Sequence, residues 1–425
     1  MKGSSMNKKF MTNVSWIMIG RIIQLLLAFI TAMLVTRYLG PSEYGRLTYV
    51  FSYIQLFLPI CALGMNDILP KTLLDNREET DRIMGTAIIM RLSVSAICMV
   101  CSVILVSLLN DNPQYYHIAM LQSLNLLFYS FDSLIYFFQA NLLSKKVGIS
   151  LSITYTLTAI YKIVGILLHK DIMWFAFAMS LDYIIQAVML LFFYYSNHNK
   201  LVFSASWISR LLGKSAYYVF SGLLVVIYGK VTDILLLGKM VDETSVGYYG
   251  AAITLCNAWP FVLMAIIDTA NPIIIDLYKS DRALFEKRLR QLYSVIVYIC
   301  LFVSLGIIIF GDLAIRIVYG NDFMPAVLPF KIYSFSTAFS YLGVARSAWM
   351  QCENKTRYET LIALFGAVVN IVMNYVLIKN NGIIGAAIAA VMTQFLTNYV
   401  FLFFIKDIRG NAKLITDAIM LKDIR

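Results

Sequence analysis

Stretches of about 20 consecutive apolar residues recur along this chain, and each is long enough to carry a helix across the hydrocarbon core of a bilayer. With 60% hydrophobic and 14% charged residues in 425, the chain has too little polar surface to wrap a water-soluble core of that size. The runs predict twelve spans, at residues 14–36, 44–65, 83–109, 115–140, 147–168, 172–195, 216–238, 247–275, 289–311, 327–350, 357–378 and 383–405. The fold class expected is therefore an all-α polytopic membrane protein. No cleavable signal is expected ahead of it, because the first run is too long for a signal h-region and leads straight into a second span.

A net charge of +11 would suggest nucleic acid in a soluble protein, but its placement argues otherwise. Counting loops alternately from a cytoplasmic N-terminus, 23 of the 35 Lys and Arg fall inside and 6 outside, with 6 more within spans. That imbalance is the positive-inside rule, and it predicts cytoplasmic termini. Anionic lipid headgroups are sufficient partners for such loops. The longest connection, Ser196 to Ser215, divides the chain into a lobe over 1–195, a linker over 196–215, a second lobe over 216–405 and an amphipathic tail over 406–425. Six spans per lobe is an even number, so both lobes enter the membrane in the same direction, a parallel-repeat layout with substrate expected between them. The tail, with Ile408, Leu414, Ile415, Ile419 and Leu421 among five basic residues, is expected to lie on the inner leaflet.

A faint internal repeat accompanies this division. Gly40-Pro41 and Gly45 break the chain between the first two spans, and Gly238 with Gly247 does so at the corresponding place in the second lobe. Pro59 and Pro260 then predict a proline-kinked second helix in each lobe.

Polar residues inside spans mark where chemistry can occur, since each must face protein or water rather than lipid. Gln122, Asn125, Tyr129, Asp132, Tyr136 and Gln139 follow a 3-4-3-4-3 spacing that places them on one stripe of the fourth span. Such a stripe forms either the wall of a solvated cavity or interhelical glue. Three cations lie well inside spans: Arg21 on a face with Gln24, Lys162 on a face with Tyr155 and Thr158, and Lys230 one turn from Asp233. They point to a phosphate-bearing substrate, with snorkelling as the alternative for Arg21 and a local pair with Asp233 for Lys230. Arg91, Lys331 and Arg346, nearer span ends, read as ordinary. Asp132, Asp182, Asp233 and Asp268 are the acids within spans that could bind a coupling ion, H+ or Na+, and Asp182 with Gln186 is the first choice, with one half of a static salt bridge as its alternative. Asn370 with Asn374 and Gln394 with Asn398, each at i,i+4, read as packing glue.

Signals for enzymatic chemistry are missing: there is no phosphate-binding loop signature and no H-E-x-x-H, and the three histidines lie near span ends. Six scattered cysteines, including the pair Cys98 and Cys101, predict neither disulfide nor metal site. No cofactor is expected beyond a coupling ion.

Four segments in order, Arg37-Tyr-Leu-Gly-Pro-Ser-Glu-Tyr-Gly-Arg46, Thr232-Asp233-Ile-Leu-Leu-Leu-Gly238 with Val246-Gly-Tyr-Tyr-Gly-Ala-Ala252, Tyr319-Gly-Asn-Asp-Phe-Met-Pro-Ala326, and Asn370-x-x-x-Asn374 leading to Gly382-Ile-Ile-Gly-Ala-Ala387, resemble the polysaccharide-transport family, including its O-antigen (Wzx-type) flippases, within the multidrug/oligosaccharidyl-lipid/polysaccharide exporter superfamily. The resemblance implies two six-helix bundles arranged as a V, as in multidrug exporters of that superfamily. It further implies that an undecaprenyl-pyrophosphate-linked oligosaccharide is moved from the cytoplasmic to the periplasmic leaflet of a bacterial inner membrane by alternating access, with an O-antigen polymerase and a chain-length regulator as further partners. Under this reading Arg21, Gln24, Gln122, Asn125, Tyr129, Lys162 and Lys230 contact substrate. A lipid II flippase and a cation-coupled drug antiporter are the alternatives; a membrane-embedded polymerase or ligase would need larger outer loops.

Overall fold

The computed structural model describes the backbone of residues 2–213 and 215–422, and side chains within residues 23–213, 215–229 and 231–422. Among the described residues there are helices and turns but no strand, as expected where every backbone group must find its partner inside the segment. The chain forms two compact units, Met1–Leu39 with Tyr49–Leu223, and Gly40–Thr48 with Leu224–Arg425.

The first unit is built from α1 (Lys2–Gln55), α2 (Leu58–Ala62), α3 (Met65–Asp75), α4 (Thr80–Leu109), α5 (Pro113–Phe128), α6 (Ser133–Ala140), α7 (Ser144–Leu167), α8 (Ile172–Tyr195), α9 (Ala205–Leu212) and the start of α10 (Ser215–Val226). The second holds α11 (Thr232–Met240), α12 (Glu243–Cys256), α13 (Phe261–Ser280), α14 (Arg282–Val318), α15 (Val327–Tyr333), α16 (Ser336–Cys352), α17 (Arg357–Phe395) and α18 (Arg409–Ile419). Among the described residues, eight helices are long and apolar enough to cross a membrane, or nine if the bent pair Ala205–Leu212 and Ser215–Gly229 is one span. The difference from the twelve expected spans arises partly at breaks. The first two run together across Gly40 and the last two across Gly382, both at positive φ, while the tenth is divided between α15 and α16. Large apolar side chains such as Leu108, Phe302 and Ile309 remain exposed, as a lipid-facing surface requires.

Each predicted kink falls at its proline. Pro59 lies in the first turn of α2, and Pro260 caps α13 after α12 has ended. The two glycines of the sequence repeat also meet. A Cβ on Gly45 would lie 1.8 Å from the Glu243 carbonyl oxygen, and one on Gly247 would lie 1.9 Å from that of Pro41. Backbone therefore touches backbone where residues 40–48 cross the start of α12, and Arg46 holds the crossing through Glu43 and Glu243 at 3.0 and 2.8 Å.

Residues 196–215 are not a bare linker. The backbone N–H of Val202 donates to the Asp81 carbonyl, Trp207 Nε1 donates to Glu79 at 2.8 Å, and Ser215 donates to the Leu63 carbonyl, so the segment packs on the first unit. The tail differs from its expected place on the leaflet: α18 buries Ala412, Ile415 and Ala418 completely and is tied to α14 by Ser294 donating to the Ala418 carbonyl. Its apolar face is occupied by the protein itself.

Candidate functional site

Breaking a helix in a membrane frees carbonyls that water cannot reach, and the first unit answers this with Arg91. Fully buried on α4, it donates through Nε to the Cys61 carbonyl at 3.1 Å, through one terminal nitrogen to the Tyr129 carbonyl at 2.8 Å, and through the other to Ser133 Oγ at 2.7 Å. Cys61 lies in the short α2, and Tyr129 begins a 3-10 turn, Tyr129–Asp132, that separates α5 from α6. The arginine that read as ordinary from its place near a span end is the clamp for both breaks.

The 3-10 turn divides the polar stripe of the fourth span, because its three residues per turn shift the register of the residues beyond it. Before it, Gln122 and Asn125 are completely buried; Gln122 donates to Met179 Sδ at 3.1 Å, and Ser180 ties α8 to the Leu121 and Gln122 carbonyls. These residues belong to the α5–α8 seam. Asp132 at the end of the turn and Gln139 beyond it face a cavity of about 390 Å³ inside the first unit. Tyr129 sits at the junction, accepting from Asn66 at 3.4 Å and meeting the Tyr183 ring edge-on at 6.0 Å.

The cavity wall combines amides, phenols and acids. Gln24 from α1 donates to Tyr155 of α7 at 2.8 Å, and both line it together with Asp182, Tyr183 and Gln186 of α8. Phe51, Ile135, Val147, Leu151 and Met179 complete the wall. Such a mixture can bind sugar hydroxyls through its amides and phenols. Lys162 is not among the lining residues. Its Nζ stands 3.6 Å from Asp182 Oδ2, so its charge is already directed at a carboxylate.

In the second unit Asp233 is 2% exposed and caged by neutral donors. Tyr249 of α12 donates to Oδ2 at 2.7 Å, while Asn370 and Asn374 of α17 donate to Oδ1 at 3.0 and 2.8 Å. The amide oxygens of both asparagines are buried and unpartnered, and the Ala386 carbonyl lies 3.4 Å from the Tyr249 hydroxyl. The pair Asn370 and Asn374 is thus more than packing glue, and its i,i+4 spacing was the signal that both amides serve one point. Arg21 and Lys230 carry side chains outside the described residues. Arg346 is also buried, with its guanidinium directed at Asn398 at 3.2 and 3.4 Å, and Asn398 in turn donates to Gln394. No cluster of His, Cys, Asp and Glu able to hold a metal occurs among the described residues.

The fold is shared with a lipid II flippase and with multidrug transporters of known structure. Over 95% of this chain it superposes on 91% of the lipid II flippase MurJ in an inward closed conformation, with a TM-score of 0.74 and 14% identity. An inward-facing MATE-family multidrug resistance transporter of the MOP superfamily matches 95% of this chain and 98% of its own at TM-score 0.73 and 13% identity. A MOP superfamily transporter from Pyrococcus furiosus, described by a reverse polarity of its binding pocket, matches 97% and 96% at TM-score 0.61 and 13% identity. An uncharacterized membrane protein of Methanocaldococcus jannaschii is 20% identical over 92% of this chain and 83% of its own. The family model for polysaccharide biosynthesis proteins matches residues 10–278, and the chain belongs to that family.

Proposed function

We propose that this protein is a flippase that carries an undecaprenyl-pyrophosphate-linked oligosaccharide, of the O-antigen type, from the cytoplasmic to the periplasmic leaflet of a bacterial inner membrane by alternating access, with both termini in the cytoplasm. The observation that carries this reading is the cavity in the first unit. Its Gln24, Gln139, Gln186, Tyr155 and Tyr183 suit sugar hydroxyls, and it belongs to a chain of the polysaccharide biosynthesis family. Arg21 is assigned to the pyrophosphate, and the polyprenyl tail stays in lipid.

Asp233 is the carboxylate assigned to the coupling ion. Its described partners are neutral, and the unpaired amide oxygens of Asn370 and Asn374 stand beside it, so a proton or a sodium ion would complete the cage. Since a bacterial interior is negative, outward movement of an anion is electrically downhill by roughly 2.3 kcal/mol per charge per 100 mV. The ion therefore acts in resetting the empty carrier.

A second reading is favoured by one observation: the described wall carries two carboxylates, Asp132 and Asp182, and no cation. That polarity suits an organic cation, as in a drug antiporter. Expression in a bacterium deleted for its own O-antigen flippase separates the readings. Restored surface polysaccharide, lost in Arg21→Ala and partly kept in Arg21→Lys at equal abundance, is expected. Failure to restore it, together with resistance to ethidium, would establish the antiporter instead.

A further inference from the structure

Lys162 of α7 and Asp182 of α8 are each under one-fifth exposed, and their 3.6 Å separation exceeds the ~2.7–2.9 Å of a charge-assisted hydrogen bond. Asp182 Oδ1 is buried and has no hydrogen-bond partner, although Asp182 lines the cavity. The lysine is thus held behind a carboxylate that neither grips it closely nor is itself fully satisfied. A static structural pair would have tighter geometry and more hydrogen bonds.

We infer that Lys162 is an anion site occupied by Asp182 in the empty carrier: a phosphate of the cargo displaces the carboxylate, which takes up a proton from water in the cavity. This rests on the lipid-linked phosphate substrate proposed above. Charge balance supplies the reason. One ammonium and one carboxylate form a neutral pair, and an arriving anion would leave that low-dielectric wall with net negative charge. Asp132 on the same wall adds a further negative charge. Protonating Asp182 removes one of these negative charges, leaves Lys162 to the phosphate, and turns the carboxyl into a donor toward a phosphate oxygen.

The groups around Asp182 are consistent with this exchange. Lys162 approaches it from α7, and the cavity that Asp182 lines is shared by Tyr155 of α7, Asp132 of the 3-10 turn, Gln24 of α1 and Tyr183 of α8, whose ring Tyr129 meets edge-on. Among these described residues Lys162 is the sole cation. The step forms an O–H bond on Asp182 and exchanges one ion pair for another, with no covalent change in the cargo. Binding of the cargo and of this proton each strengthen the other.

The test is binding of a short-chain polyprenyl pyrophosphoryl sugar, a diester ionised throughout the range, to the full chain in nanodiscs from about pH 5 to about pH 8. In the parent, Kd is expected to rise about tenfold per pH unit where one proton is taken up. Asp182→Asn should bind tightly with no pH dependence, Lys162→Gln should lose binding at every pH, and Lys162→Arg should retain it. The thermal melt of each variant shows whether it is folded. Parental pH dependence in Asp182→Asn, or parental affinity in folded Lys162→Gln, overturns the exchange while leaving the flippase reading intact. Absence of binding by the parent at any pH overturns the substrate reading itself, and the exchange with it.

Discussion

Two carboxylates within helices, one in each unit, are handled in opposite ways. Asp182 of the first unit stands on a cavity wall and has a lysine 3.6 Å away, whereas Asp233 of the second is enclosed by one phenol and two amides. A carboxylate beside a cation has its charge compensated, and a new ligand must compete for that cation. One whose described partners are all neutral dipoles still attracts a cation. The first arrangement suits exchange of an anion; the second suits capture of a small positive ion.

Replacing each acid is the strongest way to break this contrast. Asp233→Ala leaves three interhelical donors without their acceptor and is expected to cost about 2–5 kcal/mol, at ~0.6–1.7 kcal/mol for each hydrogen bond. Asp182→Ala loses a single 3.6 Å contact and leaves an ammonium that cavity water can reach, so it should cost less than Asp233→Ala, about 1 kcal/mol. Thermal unfolding in detergent would read both, and equal losses would show that the two sites are not different in kind.

Next in size is the crossing in the second unit. Gly247→Ala drives a Cβ into the Pro41 carbonyl, and the overpacking is expected to cost about 1–3 kcal/mol. Gly306→Ala, where nothing lies within 4 Å of the added carbon, is the control and should be neutral or mildly stabilising in the same melt. If the two variants melt alike, the second unit is as adaptable as the first and the distinction between an open wall and a rigid cage weakens.

The smallest effect is expected at Gln24→Leu, which removes the hydrogen bond to Tyr155 and should lower stability by about 0.6 kcal/mol. Binding of the lipid-linked sugar should weaken several-fold more than stability does. Parallel loss of both would make Gln24 packing glue rather than part of the site.

The sequence alone determined that this chain crosses a membrane many times, because an apolar run's length against bilayer thickness needs no tertiary information. It also determined some of the helix breaks, since Gly40-Pro41, Pro59 and Pro260 act on their own backbone. Asp132, Asp182 and Asp233 were conspicuous because a charge within a span is costly anywhere. Only the tertiary structure decided what each acid meets. Helical periodicity carries the stripe from Gln122 to Gln139 on a single face, but the 3-10 turn clamped by Arg91 sends its halves to different places. Tyr249, Asn370 and Asn374 converge on Asp233 from two helices, and Asn370 stands 137 residues away along the chain, a separation over which sequence spacing says nothing about geometry. Partners of a buried charge are chosen by helix packing, and packing exists only once the chain has folded.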